Sequence, residues 1–302
     1  QLDTAAAYFK NDDNDDVVLQ LDGAVVTEQD LLTLTLQINE AKRVLSIEHS
    51  GTPGGDGTAL KMYATSLFAH DIAGVGMVPV VEVGLVVQEI PDTITPTVVY
   101  GEINYDTGVM VLQHSETVDS TPASSVLLNN YVYLNASTPT VQLASATTTS
   151  FDSYNITITL TERQRVDVVQ ISGTPGGVGT NTVLRVTEHS FRDIAQNFNQ
   201  QVQDVVLVET PDTTPPVPLN ARIHYGTGVV MFNTSEILDV TPTTVLELTL
   251  LALRNDATTT LERDRQFGFQ TSDVIDLTGS TITAYDDTRT VFQLTELQRV
   301  HA

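Results

Sequence analysis

From Tyr154 to Leu160 apolar and polar residues alternate one for one, with Ile156, Ile158 and Leu160 set against Asn155, Thr157 and Thr159. A period of two places the first set on a buried face and the second in water, which predicts a β-strand. Val-rich and Thr-rich runs at 16–21, 31–38, 80–87, 183–187 and 204–208, punctuated by Gly, Pro and Asp, predict further short strands. Many short strands separated by turn residues are the pattern of a β-sandwich. Three segments break that period: Asn39-Glu40-Ala41-Lys42-Arg43-Val44, Thr161-Glu162-Arg163-Gln164-Arg165-Val166 and Thr295-Glu296-Leu297-Gln298-Arg299-Val300. Each reads as a short capped helical turn. The Asn or Thr accepts a backbone N–H at the start, Glu suits the positive end, and Arg follows it at i+3.

The elements recur with a period of about 120 residues. Ser-Gly-Thr-Pro-Gly-Gly-Asp-Gly-Thr at 50–58 returns with one change, Asp56 to Val178, at 172–180. Tyr105-Asp106-Thr107-Gly108-Val109 returns as Tyr225-Gly226-Thr227-Gly228-Val229, and Ser115-Glu116 with Thr121-Pro122 returns as Ser235-Glu236 with Thr241-Pro242. The markers divide the chain into three repeats, 1–98, 99–218 and 219–302. The expected fold is all-β: tandem sandwiches, one complete and two incomplete, with short capped helical turns.

At Pro211-Asp212-Thr213-Thr214-Pro215-Pro216, followed by Tyr225-Gly226-Thr227-Gly228 and Ser235-Glu236, the chain resembles the tandem Ig-like or cadherin-like repeats of giant extracellular surface or fibril proteins of aquatic microbes and algae. Pro91-Asp92-Thr93 matches the same linker, and Phe191-Arg192-Asp193-Ile194-Ala195-Gln196-Asn197 and His70-Asp71-Ile72-Ala73-Gly74 match that family's late turn. Three positions depart from it: His114 and Thr234 stand where Phe is usual, and Gln196 replaces the turn's Gly. The resemblance covers nearly the whole chain. It implies Ig-like sandwiches, extracellular exposure, and a structural or adhesive role without particular chemistry.

Only the middle repeat carries both the opening and the closing strands. The first has no counterpart of Tyr105 to Pro122, and the third has none of the Gly-rich loop, Val183 to Val186 or Val205 to Val208. Sandwiches short of strands leave open edges, which are relieved by pairing. The expectation is head-to-tail assembly of copies into a homopolymeric filament by strand complementation. An adhesin segment binding a glycan or another cell is the alternative function, and the missing strands are equally what a piece excised from a longer repeat array would show.

The 14 basic residues against 38 acidic ones give a charge of −24, which excludes nucleic acid as a partner, since phosphate neutralisation needs basic patches. No apolar run reaches the ~18 residues of a membrane span. No Cys occurs, so disulfides, thiolate metal sites and Cys nucleophiles are ruled out. The Gly-rich loops lack the Lys-Ser or Lys-Thr of a P-loop and read as turns. No Gly-x-Ser-x-Gly elbow is present, no pair of acids stands out among the 38, and Trp is absent, so no enzymatic activity and no cofactor chemistry is expected.

Calcium is the inorganic ligand that fits the composition. Asp12, Asn14 and Asp16 begin like an oxygen-ligand loop, but Val17 and Gly23 stand where an EF-hand needs Gly and Glu. Inter-domain calcium, as in cadherin-like arrays, would use Asp92, Glu116, Asp193, Asp212 or Glu236 near the linkers, set against the reading that all five are solvated surface acids. Three N-glycosylation sequons, at Asn135, Asn155 and Asn233, are unblocked by Pro and point to a secreted or cell-surface glycoprotein carrying covalent glycans.

Overall fold

The computed structural model describes residues 2–11, 18–30, 33–135, 138–254, 274–283 and 287–302. Residues 1–212 make one unit and residues 213–302 a second.

The first unit holds two sandwiches. The first consists of β1 (Ala7–Lys10), β2 (Leu19–Gln20), β3 (Val25–Asp30), β4 (Thr33–Gln37), helix α1 (Glu40–Glu48), β5 (Lys61–Ala64) and β6 (Val80–Val86). One sheet runs β2-β1-β5-β6, and β3 pairs β4 in another. Its small core gathers Ala7, Leu21, Ala64 and Phe68. The second contains β7 (Val98–Asn104), β8 (Val109–Val118), β9 (Tyr131–Asn135), β10 (Thr138–Gln142), β11 (Thr147–Thr148), β12 (Ser153–Thr159), helix α2 (Glu162–Gln170), β13 (Val183–Val186), β14 (Gln203–Val206) and β15 (Val208–Thr210).

In this second sandwich a five-stranded sheet, β11-β12-β8-β7-β15, faces a four-stranded one, β10-β9-β13-β14. The closing strand β15 lies parallel to the opening strand β7, with Val208 opposite Glu102, while the other pairs are antiparallel. Two facing sheets whose first and last strands meet at one edge give an Ig-like sandwich. The alternation read at 154–160 is realised in β12: Ile156 and Ile158 are fully buried and Asn155 is exposed. Tyr105, Tyr131, Tyr133 and Phe191 fill the core from both sheets. Gly101 lets the sheets close, since a Cβ there would lie 2.5 Å from Leu207 Cδ2.

The second unit carries β16 (Pro218–His224), β17 (Val229–Leu238), β18 (Ala252–Arg254), β19 (Val274–Asp276), β20 (Thr281–Ile282), β21 (Asp287–Gln293) and helix α3 (Glu296–His301). Its main sheet, β16-β17-β21-β20, repeats β7-β8-β12-β11 in order. The core is Val230, Leu277, Phe292 and Leu294. Tyr225 is 58% exposed where its counterpart Tyr105 is fully buried, because no described strand closes over β16 as β15 closes over β7.

The three capped turns are real helices, and α1 and α2 extend to nine residues each. Asn39 accepts the Lys42 N–H at the start of α1. Thr161 and Thr295 form full capping boxes with Gln164 and Gln298. The Gly-rich segments are turns: Gly55 N donates to Thr52 O and Gly177 N to Thr174 O, both at 3.0 Å.

Candidate metal centre at the joint between the first two sandwiches

Helix α1 aims Arg43 across the end of the first sandwich into the second. Its guanidinium is gripped by Glu40 one turn back, Nε to Oε2 at 2.6 Å and Nη2 to Oε1 at 2.7 Å. Nη1 binds the carboxylate of Asp92 in the linker. Nη2 also reaches Glu116 Oε2 on β8 at 2.9 Å. Glu40 in turn accepts the Thr117 backbone N–H at 3.1 Å. The fork geometry of Arg lets one side chain tie a helix, a linker and a strand of the next domain together.

Asp193 closes the site from the turn after β13. It is 1% exposed and bound by Asn197 through both N and Nδ2, at 2.8 and 2.9 Å. Asn197 Nδ2 also donates to the Asp92 carbonyl at 3.1 Å, fixing the linker against the turn. Gln196, in the place of the usual Gly, adopts φ +70, and Gly74 in the first repeat takes +80. The turn therefore keeps its left-handed residue despite the substitution.

Asp92, Glu116 and Asp193 each bring a carboxylate oxygen within 4.8 Å of the other two. Calcium takes about six to eight oxygens at roughly 2.3–2.6 Å, so one ion can bridge oxygens at this spacing. Glu116 is 7% exposed, and its Oε1 is buried without a hydrogen-bond partner. An orphaned buried carboxylate oxygen is costly, and a bound cation or a proton on Glu116 would relieve that cost. Glu40, Asp92, Glu116 and Asp193 set four carboxylates against one guanidinium.

The electrostatics follow. Burial raises the Glu116 carboxyl to about 7, helped by Asp193 and Asp92 and opposed by Arg43. Burial also raises Asp193, against the pull of its Asn197 bonds. Burial works in the same direction on Glu40, but Arg43 and Thr117 outweigh it and hold that carboxyl below its usual range. The centre can take up a divalent cation or a proton at Glu116.

Of the five acids named from the sequence, three meet here. Asp212 instead binds Arg165, the second repeat's copy of Arg43, which also holds Glu162 and donates to the Tyr105 carbonyl at 2.9 Å. Glu236 is half-buried on β17 in the second unit. Arg43 itself was read from sequence only as a partner of Glu40. Its signal was the Arg kept in all three helices while Lys42, Gln164 and Gln298 vary beside it. Asp12, Asn14 and Asp16 lie outside the described residues.

Among the sequons, Asn155 is exposed on the outer face of β12. Asn233 is half-buried and donates through Nδ2 to Asn220 Oδ1 at 2.7 Å. Asn135 ends β9, and the Ala136-Ser137 that completes its sequon lies outside the described residues. His114, where the resembling family has Phe, is 2% exposed and packs edge-on against Phe191 at 4.7 Å, so it fills an aromatic's place.

No family model matches the chain, and no curated protein matches it. Among solved structures, a chain described as a marsupial T cell receptor is similar over 96% of this chain and 84% of that one, at 10% identity and a TM-score of 0.18. At that score the likeness carries no argument about fold or function.

Proposed function

We propose that this chain is a non-catalytic structural subunit of an extracellular glycosylated filament. Its sandwiches stand in tandem, and copies join head to tail by adding strands to open sheet edges. The observation that carries this reading is the joint within residues 1–212. Arg43, Glu40, Asp92, Glu116 and Thr117 lock consecutive sandwiches through side chains from both. A short linker pinned in this way transmits load; a free one bends. Calcium held by Asp92, Glu116 and Asp193 would stiffen the joint further by offsetting their mutual repulsion.

Two further features support the reading. The outer edge of β16 is unpaired among the described residues, where the middle sandwich adds β15 to β7; such an edge is a template for a strand. Exposed Asn155 sits on a sheet face away from the core, where a glycan meets no packing. Electron microscopy and sedimentation of the full chain, with calcium and with chelator, test the proposal. Fibres that lengthen with concentration and with calcium are expected, and monomers without fibres under every condition would overturn it.

A second reading, an adhesive segment, is favoured by a groove of about 710 Å³ beside α2, where Ser145, Asp167 and Gln170 stand among Val141, Ile171 and Val178. Its few polar groups can bond hydroxyls while its apolar ones meet the carbon face of a sugar. Binding to glycans by a monomeric chain would favour that reading over the filament.

A further inference from the structure

The joint has a second component besides its ions. The Gly-rich loop 50–58 presses on the turn 193–197 backbone to backbone: a Cβ on Gly54 would lie 2.0 Å from the Ile194 carbonyl oxygen and 3.0 Å from Ala195 Cα. Only glycine fits there, and Gly54 also holds φ +89.

The chain carries a second copy of each half, already in the docked conformation. In the loop 172–180, Gly179 N donates to Ser172 O at 3.0 Å as Gly57 N does to Ser50 O at 3.1 Å. Glu209 holds the Gly173 N–H as Glu89 holds that of Gly51, both at 3.0 Å. Gly176 has φ +92, matching Gly54, yet it is exposed, and a Cβ there would meet only Val169 of its own sandwich, at 3.5 Å. In the turn 71–75, Asp71 N donates to Val75 O at 2.9 Å and Val75 N to Asp71 Oδ1 at 2.8 Å. The turn at 193–197 makes the same two bonds at 3.0 and 2.8 Å. Ile72, the counterpart of buried Ile194, is fully exposed.

We propose that the loop 172–180 of one molecule docks on the turn 71–75 of a second copy of this chain, reproducing between molecules the contact made within one. The proposal rests on the head-to-tail reading above and names the surfaces that meet. Both halves are preformed, so little ordering entropy opposes the contact. Loop and turn are different surfaces, so the contact is heterologous and propagates from copy to copy. Charge permits it: in a chain of −24 the loop 172–180 has no ionisable residue, Val178 replacing Asp56, and the turn has only Asp71. The contact is weaker than the internal joint, because Val75 stands where Asn197 donates to the linker and neither loop nor turn carries a counterpart of the Arg43–Glu116 and Glu40–Thr117 bonds. The covalent tether is lost as well, so self-association requires high protein concentration.

The absence of Cys makes a clean test. Full-length chains carrying Pro175→Cys are mixed with chains carrying Ile72→Cys under mild oxidation. The mixed disulfide dimer is expected to exceed either homodimer severalfold, and a statistical mixture would overturn the docking. In parallel, the mass of the unmodified chain by sedimentation should rise with concentration, and Ile72→Arg, at an exposed site that leaves the fold intact by circular dichroism, should abolish the rise. Assembly that persists unchanged in Ile72→Arg sinks this interface while leaving head-to-tail assembly standing. An unmodified chain that stays monomeric at every concentration sinks both.

Discussion

Arg43 Nη2 donates to Glu116 Oε2 across 2.9 Å, so the helix of one sandwich and a strand of the next share an ion pair whose acid is nearly sealed from water. Among the described residues the same Arg recurs in all three capped helices, each time holding the Glu one turn back and a second partner. Arg165 adds the Tyr105 carbonyl and Asp212, and Arg299 adds the Tyr225 carbonyl at 3.0 Å. The repeating unit is a helix that clamps its own linker or opening hairpin.

Replacing Arg43 by Met should loosen the joint. Glu116 would be left buried and unpaired beside Asp92 and Asp193, a loss of about 3 kcal/mol for a sealed pair and less here, because Arg43 is 31% exposed. Urea unfolding followed by hydrogen exchange should show the first sandwich opening at lower denaturant than in the parent chain, while the β8–β12 core stays protected. Adding Glu116→Gln should restore part of the loss, as expected if the penalty comes from the stranded carboxylate.

Joint stability should fall as pH rises. Burial beside Asp193 and Asp92 raises Glu116 to about 7 from an ordinary 4.5, so the folded joint binds a proton more tightly than the unfolded chain. That contribution is fully present below about pH 4.5 and is lost as pH climbs through 7. Thermal midpoints in chelator at pH 5 and pH 8 should show the trend, and Glu116→Gln should flatten it. Calcium at pH 8 should recover the midpoint in the parent chain but in none of Asp92→Asn, Glu116→Gln or Asp193→Asn.

His114 works in the opposite sense. Burial lowers its pKa to about 4, although its bond to the Tyr154 carbonyl pulls upward. A base depressed in the folded state contributes stability above its unfolded value, about 6.5, that is lost as pH falls through 4. Its Nδ1 lies 3.0 Å from the Tyr154 carbonyl while Nε2 is buried without a partner. His114→Phe should keep the edge-on packing against Phe191 and move the acid limb of the second sandwich's unfolding to lower pH. A limb at the same pH in both proteins would contradict this.

What the sequence made legible was whatever repeats or alternates. Ile156 and Ile158 declared the buried face of β12, and the duplicated Gly-rich loop declared the period. Asp92, Glu116 and Asp193 were picked out by proximity to linkers, and the fold gathers them. The bridge itself was not legible. Arg43 sits at i+3 from Glu40, a spacing that a helix explains unaided, and nothing in local pattern reveals that two of its nitrogens also reach acids 49 and 73 residues away. The length of α1 and α2 was underestimated for a related reason: beyond the cap their residues are helical through packing on the sandwich end, which periodicity over six residues does not encode.

A matched pair of glycine substitutions isolates the backbone contact at the joint. Gly54 and Gly176 occupy equivalent loop positions with φ +89 and +92, so Ala imposes nearly the same conformational strain at each, about 1 kcal/mol. They differ in surroundings: the new methyl would meet the Ile194 carbonyl at 2.0 Å in one case and only a Val169 methyl at 3.5 Å in the other. A carbonyl in a bonded turn cannot move aside as a side-chain tip can, so Gly54→Ala must push the sandwiches apart or break the turn. At concentrations where the chain is monomeric, Gly176→Ala should cost only the shared strain, whereas Gly54→Ala should cost at least 1–3 kcal/mol more, within the range for overpacking. The excess should register as faster proteolysis of the 88–97 linker. Equal destabilisation by the two variants would mean that the loop carries no load at the joint.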